Sequence, residues 1–387
     1  MEEINNSKYT RRKFFATASR SSLAALTIGF PLFENNPNLL LNDSQDIEDQ
    51  ETPSWVKINN EIYGARPNAS GKIGGGVGYE FPITREDYEV TNLDELLDAL
   101  SRAKSGQVVF IPDEISIDLT TRIFIEALVL EIPAGVTLAG NRGYQGSKGG
   151  MLLSNALDTR LMIQSKGPGV RISGLRIQGP NPDRHLEHHK RSFGPGGLGR
   201  DYYYKFPVSR GIVTEYPGLK VDNCEIAAFS GSGVLLKKGT GHHVHHNFIH
   251  QCQYNGLGYG VSHAAASSLI EYNLFNENRH SIAGTGVSGC GYIARHNIEL
   301  GISLSHCFDM HGGRDRKDNT DIAGTSMEIY NNTFYAPQTS VVIRGVPEDT
   351  CEIHHNWFPK HQDINQAIRG ISEKTTAAKN LFVNEVK

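Results

Sequence analysis

The chain has 387 residues, a net charge of −4 and a pI near 6.5, and 38% of its residues are hydrophobic, enough for a sizeable core. That charge excludes the basic footprint of nonspecific nucleic-acid binding, so an anionic ligand must meet a local basic patch. Five cysteines, Cys224, Cys252, Cys290, Cys307 and Cys351, are odd in number and sit at no metal-finger spacing; they read as small buried apolar residues and not as a disulfide framework.

In chain order, the first signal is Thr10-Arg11-Arg12-Lys13-Phe14-Phe15, followed by a moderately apolar run over 21–33. Paired arginines ahead of a weakly hydrophobic stretch predict a twin-arginine export signal over 1–35, and with it a periplasmic or extracellular location. The run is too short to hold the chain in a membrane. Residues 36–55, rich in Asn, Asp and Glu, read as a flexible linker, and 56–387 as one domain, because no second composition shift divides it. The run Gly74-Gly75-Gly76-Val77-Gly78 follows no clear strand and leads to no GK[ST], so it is no phosphate cradle. Residues 91–103 carry Leu93, Leu96, Leu97 and Leu100 at helical spacing, which predicts an amphipathic helix capping the first open coil. Strands are expected over 107–112, 115–119 and 136–138, with a turn at 140–143.

Beyond residue 220 the sequence repeats. Asn223, Asn247, Asn273, Asn297, Asn332, Asn356 and Asn380 recur about every 24 residues, with one step near 35. Each follows an alternating segment and precedes an apolar pair, the pattern of strand, tight turn and strand. Asn accepts left-handed backbone, and stacked Asn side chains bond along a ladder, so these asparagines are structural. His242, His243, His245, His246, His354 and His355, in or before the turns, read the same way. Such a solenoid also escapes the size limit of a single globular core.

With its helix, its coil-length repeat and its glycine run, the chain over 70–385 resembles the pectate-lyase-like right-handed β-helix superfamily of polysaccharide lyases and glycosidases. The resemblance implies an all-β, right-handed parallel β-helix with an N-terminal capping helix, and a substrate groove on one parallel sheet walled by long turns. The chain lacks the Trp-Ile-Asp-His stretch of pectate lyases and the Asn-x-Asp, Asp-Asp and Gly-His-Gly set of polygalacturonases, so neither activity transfers residue by residue.

Aligning the strand before each turn gives an inward set, Ile212, Val234, Val261, Ile282, Phe308, Val341 and Ile368, joined by Leu236, Met310 and Ile343. The outward row is then Glu215, Lys237, Ser262, Ser281, Asp309, His311, Arg344 and Arg369, with Arg279, His280, His263 and His306 at strand ends. Asp309 beside His311 suits a general base or acid working near neutral pH, and Arg279 and Arg344 suit a two-pronged grip on a carboxylate. His311, Asp309, His280, Arg279 and Arg344 are therefore the candidate catalytic set. Lys237, His263 and Arg369 are candidate substrate contacts, together with Arg200, Tyr202, Tyr203 and Tyr204 from an insertion over 180–209 that is expected to wall the groove. A second insertion over 312–324 is expected to form the opposite wall.

The reaction these parts suit is β-elimination on an acidic, uronic-acid-containing polysaccharide or oligosaccharide by a monomeric chain: one group neutralises the C5 carboxylate, a base takes the C5 proton and an acid protonates the leaving oxygen. No cofactor is required, although a divalent metal on His306, Asp309 and His311 is admissible. A glycoside hydrolase is the second reading; it needs two carboxylates across the bond, and only Glu215 and Asp309 qualify, several coils apart. A non-catalytic carbohydrate-binding solenoid is the third.

Overall fold

A computed structural model describes residues 53–180, 183–253, 257–301, 303 and 305–383, with side chains left aside for 183–186. The expected export signal and all but the last three residues of the expected linker lie outside these. Those last three belong to the fold: Trp55 pairs with Gly64 in a short antiparallel hairpin, Trp55–Ile58 against Glu61–Gly64.

Apart from that hairpin, every strand pairing between named strands is parallel, and the paired strands lie one coil apart in sequence: the fold is a parallel β-helix. Three ladders of inward side chains stack along it. On the first face Ile163, Ile212, Val234, Val261, Ile282, Phe308, Val341 and Ile368 are in register, so the inward set read from the sequence is the observed one. On the second face Val221, Val244, Ile270, Ala294, Ile329 and Ile353 align. Two long strands, Ser232–His245 and Tyr259–Glu271, bend from the first face to the second, with a register shift between Gly239 and His242. The third face carries Ile249, Phe275, Glu299 and Phe334 in register, with Phe358 stacked on Phe334 at 5.1 Å.

The turn between second and third faces explains the repeat. Asn247, Asn273, Asn297, Asn332, Asn356 and Asn380 form one ladder, each Nδ2 donating to the next Oδ1 at 3.0 Å. Asn223 is not part of it. Cys224 holds the equivalent position, with its N–H donating to Asn247 Oδ1, and Asn223 sits one residue earlier. The left-handed residue is the one before each ladder asparagine: His246, Tyr272, His296, Asn331, His355 and Lys379 have φ between 49° and 55°. The asparagine side chain, by bonding backbone groups of both its own and adjacent coils, stabilises a conformation that L residues adopt at a cost.

A helix runs over Leu93–Arg102 with Asn92 as its N-cap, the Asn92 side chain accepting from Glu95 N. It buries Leu96, Ala99 and Leu100 against the start of the core. The segment before it lies across the ladder turns: Gly64 N donates to His355 O, Gly74 N to Tyr272 O, and Gly76 N to Asn223 Oδ1. The glycine run is thus a close-packed strap. A Cβ on Gly75 would stand 2.2 Å from His246 O.

Candidate functional site

The first face turns a corner just before its inward ladder. Ser281, expected outside, points inward instead: it accepts from Asn278 Nδ2 at 3.2 Å and is fully buried. The extra inward residue flips the one before it, so Tyr259, His280 and His306, in register on successive coils, project on the groove side. The rings stack as a column, with Tyr259 to His280 at 5.8 Å and His280 to His306 at 4.0 Å. Three residues on from His306, Asp309 projects on the same side, followed by His311, and Arg344 lies one coil away.

Asp309 is the hub. Arg344 Nε donates to its Oδ1 at 2.9 Å and Arg344 Nη2 to its Oδ2 at 3.0 Å. His311 Nε2 stands 2.8 Å from Oδ2, His306 Nε2 2.9 Å from Oδ1, and His280 Nε2 3.8 Å from Oδ2. Burial by itself would raise the Asp309 pKa, but the hydrogen bonds from His306 and His311 hold it well below the ordinary carboxylate value. It stays ionised. Burial, with the Arg279 charge, pushes His280 well below its ordinary value, and burial also lowers His306; both rings are neutral at pH 7. His306 Nε2 also lies 3.1 Å from Arg344 Nη2; the nitrogen donates to Asp309 or accepts from Arg344, but not both, so its tautomer is set by which partner it keeps.

The structure brings together four expected residues, Asp309, His311, His280 and Arg344, and gives one a different task. Arg344 is no free carboxylate clamp: two of its nitrogens hold Asp309 and Nη1 reaches Asp315 at 3.3 Å, from the second insertion. Arg279 is the cation left over. Its Nε and Nη1 are buried with no hydrogen-bond partner among the described residues, and its charge acts on Tyr259, His280, His306 and His189. A cavity of about 150 Å³ opens beside this cluster, lined in part by Tyr259, Ser262, Thr285 and His311.

Both insertions reach the neighbourhood of the cluster, the first through His189, which feels the Arg279 charge, the second through Asp315 on Arg344. The first folds as helices Asp183–Phe193 and Gly199–Tyr203, pinned by His188, whose ring bonds Tyr203 O and stacks on Phe206 at 4.5 Å. Tyr203 is therefore buried within the insertion and Tyr202 packs on His188, while exposed Tyr204 carries Arg200 over its ring at 5.3 Å. The second insertion starts at Gly312, whose N–H donates to Asp315, and is tied back by Arg316 Nη1 donating to Thr285 O at 2.8 Å.

Of the remaining expected contacts, His263 also lines this cavity, whereas Lys237 and Arg369 are not among its lining residues. His263 is inside the coil, its Nδ1 on Ala283 O and its Nε2 on Ser268 Oγ, because it shares the register of inward Leu236. Lys237 is half-exposed and paired with Glu215 at 2.8 Å. Arg369 is exposed in the Asp309 row, two coils on. Tyr259 is absent from the expected set and His306 stands in it only as a strand-end residue and metal-ligand candidate; the 26-residue step from His280 to His306, matching the ladder spacing, is the sequence signal for this column.

Among the described residues two groups could hold a cation: His280, His306 and the Asp309 carboxylate, whose ligand atoms lie within 4.8 Å of one another, and the more exposed Glu328, Glu352 and His354.

No protein-family model matches the chain, and no curated protein matches it in sequence. Solved structures share its coil architecture. An alginate lyase from Paenibacillus sp. str. FPU-7 is 12% identical over 76% of this chain and 94% of its own, with a TM-score of 0.45. The Dettilon tailspike protein is 12% identical over 76% of this chain and 55% of its own, at 0.42. A Yersinia enterocolitica family 28 exopolygalacturonase is 11% identical over 78% and 76%, at 0.34. Likeness of this degree concerns the coil alone, which the strand pairing already establishes.

Proposed function

We propose that the chain is an exported polysaccharide lyase that cleaves a uronic-acid-containing chain by β-elimination in the groove beside His311. The observation that carries this reading is the unpaired, buried guanidinium edge of Arg279 next to an Asp309–His311 pair that opens on a cavity. A guanidinium edge buried without a hydrogen-bond partner among the described residues is costly in the free protein, and a substrate carboxylate relieves it. Held there, the C5 carboxylate is neutralised and the C5 proton becomes removable.

His311 Nε2 donates to Asp309, which leaves Nδ1 to take that proton; Asp309 fixes the tautomer and favours the imidazolium that forms. The electrons of the C5–H bond form the C4–C5 double bond as the C4–O bond breaks, and the departing oxygen takes a proton. Tyr259 is the candidate donor: its hydroxyl pKa is raised, chiefly by burial, so it arrives protonated. Proton return from His311 to Tyr259 through solvent closes the cycle. A hydrolase is less well served, because Asp309 is held ionised and engaged by Arg344 and two histidines, and so cannot act as general acid.

The test is a screen on alginate, pectate, glucuronans, glycosaminoglycans and ulvan, following ultraviolet absorbance of unsaturated ends. His311→Ala is expected to lower turnover by about 10²–10⁴-fold, and Arg279→Ala to lower kcat/KM by about 10²-fold or more, with partial recovery in Arg279→Lys. New reducing ends without absorbance would mean hydrolysis instead, and neither signal on any polymer would favour a binding solenoid.

A further inference from the structure

We propose that His280, His306 and Asp309 form a binding site for a divalent transition-metal ion, with Arg344 as the cation that holds its place in the metal-free protein. This stands apart from the elimination reading and does not depend on it.

Three observations carry it. The first is His280. Its side chain is fully buried, its Nδ1 donates to the backbone carbonyl of His306, and its Nε2 has no partner among the described residues. Since Nδ1 carries the proton, Nε2 presents a bare lone pair toward the Asp309 carboxylate 3.8 Å away, where a hydrogen-bonding arrangement would require a donor. An orphaned buried acceptor facing an anion is unfavourable unless something positive sits between them. A ring whose second nitrogen donates to a backbone carbonyl is also the usual state of a metal-ligating histidine, since that bond fixes tautomer and orientation.

The second observation is convergence. His306 Nε2 and Asp309 Oδ1 are 2.9 Å apart, and all three ligand atoms lie within 4.8 Å of one another on two adjacent coils. Two imidazoles and one carboxylate suit zinc or its neighbours in the first transition row. Calcium would need more oxygens than this corner offers.

The third is the ambiguity at His306. Its Nε2 is within reach of both Asp309 and Arg344 Nη2, and only a lone pair toward the guanidinium or a proton toward the carboxylate is satisfied at one time. With a metal ion on the His306 lone pair the conflict disappears. Arg344 then keeps its other acidic partner, Asp315, already 3.3 Å from Nη1. The Glu328, Glu352 and His354 group lacks any such buried orphan and carries no proposal.

Cobalt(II) is the probe, added to the purified chain without substrate near neutral pH and read by its visible ligand-field bands and by calorimetry. One ion per chain is expected, with bands of a nitrogen-containing site and no competition from calcium. His280→Ala should weaken binding by about tenfold or more, and Arg344→Gln should tighten it, because a competing cation is gone. Glu352→Gln should leave it unchanged. Absence of binding to the unaltered chain would overturn the proposal, as would binding that survives in His280→Ala. If His280→Ala does not fold, as judged by circular dichroism, Arg344→Gln decides: weaker or unchanged binding there refutes the site. Because no polymer is present, failure here leaves the lyase assay untouched, and the reverse.

Discussion

At the scale of single residues, the least expected feature is Glu299. It occupies the phenylalanine position of the third face, between Phe275 and Phe334, and neither carboxyl oxygen has a hydrogen-bond partner among the described residues. Burial pushes its pKa up to about 8. The carboxyl is thus neutral at pH 7 while its unfolded counterpart, near 4.5, is ionised. Its contribution to stability is full below about pH 4.5, falls as pH rises toward 8, and is gone above that. Glu299→Gln should therefore gain thermal stability relative to the unaltered chain at pH 8–9 and lose that advantage at pH 4, which melting curves at both pH values would show. A pH-independent difference would mean the carboxyl finds a partner in solution. The repeat alignment itself contained this signal, since Ile298-Glu299 stands where other coils have Leu274-Phe275 or Leu381-Phe382.

At the scale of the coil, the asparagine ladder is the repeating bond. Asn332 accepts from Asn297 N and Nδ2, and donates to Ala294 O and Asn356 Oδ1, all at 3.0 Å or less and all buried. Asn332→Ala leaves Asn297 N and Ala294 O, on the preceding coil, without their side-chain partner, and a loss of about 3 kcal/mol is expected in denaturant unfolding. Asn380, at the ladder's end and only partly buried, should cost about 1 kcal/mol when replaced by Ala. Equal losses at both positions would argue that the ladder does not act through burial. The asparagine spacing gave the coil length, yet Asn223 was placed in the wrong rank. A one-residue offset is invisible where a turn offers two polar positions side by side, and only the partner carbonyls on the next coil distinguish them.

At the scale of the solenoid, histidines govern the acid limb. Burial lowers His245 to about 3 and His246, His263 and His296 to about 4, so each is neutral in the fold and charged below about 6.5 when unfolded. The unfolded chain then binds more protons between pH 4 and 6.5, and stability must rise with pH across that window. Melting midpoints are expected to climb from pH 4 to 6.5. His263→Gln, which keeps polar contacts to Ser268 and Ala283 within reach, should flatten the climb; a flat profile in the unaltered chain would contradict the burial of these rings.

The sequence by itself determined the coil length, the parallel pairing and the inward ladder, because each follows from local alternation repeated at a fixed period. It also brought Asp309 and His311 to one face, since residues two apart on a strand project together. What it could not decide is where the coil turns. The corner at Ser281 places two successive residues inside, breaks alternation for one step and turns Tyr259, His280 and His306 toward the groove. Nor could it assign partners among like charges: Arg279 and Arg344 are equivalent in composition, and only the packing of neighbouring coils commits Arg344 to Asp309 and leaves Nε and Nη1 of Arg279 without a partner among the described residues. Periodicity is a property of the chain, whereas partner choice depends on distances between coils that are set only when all of them stack.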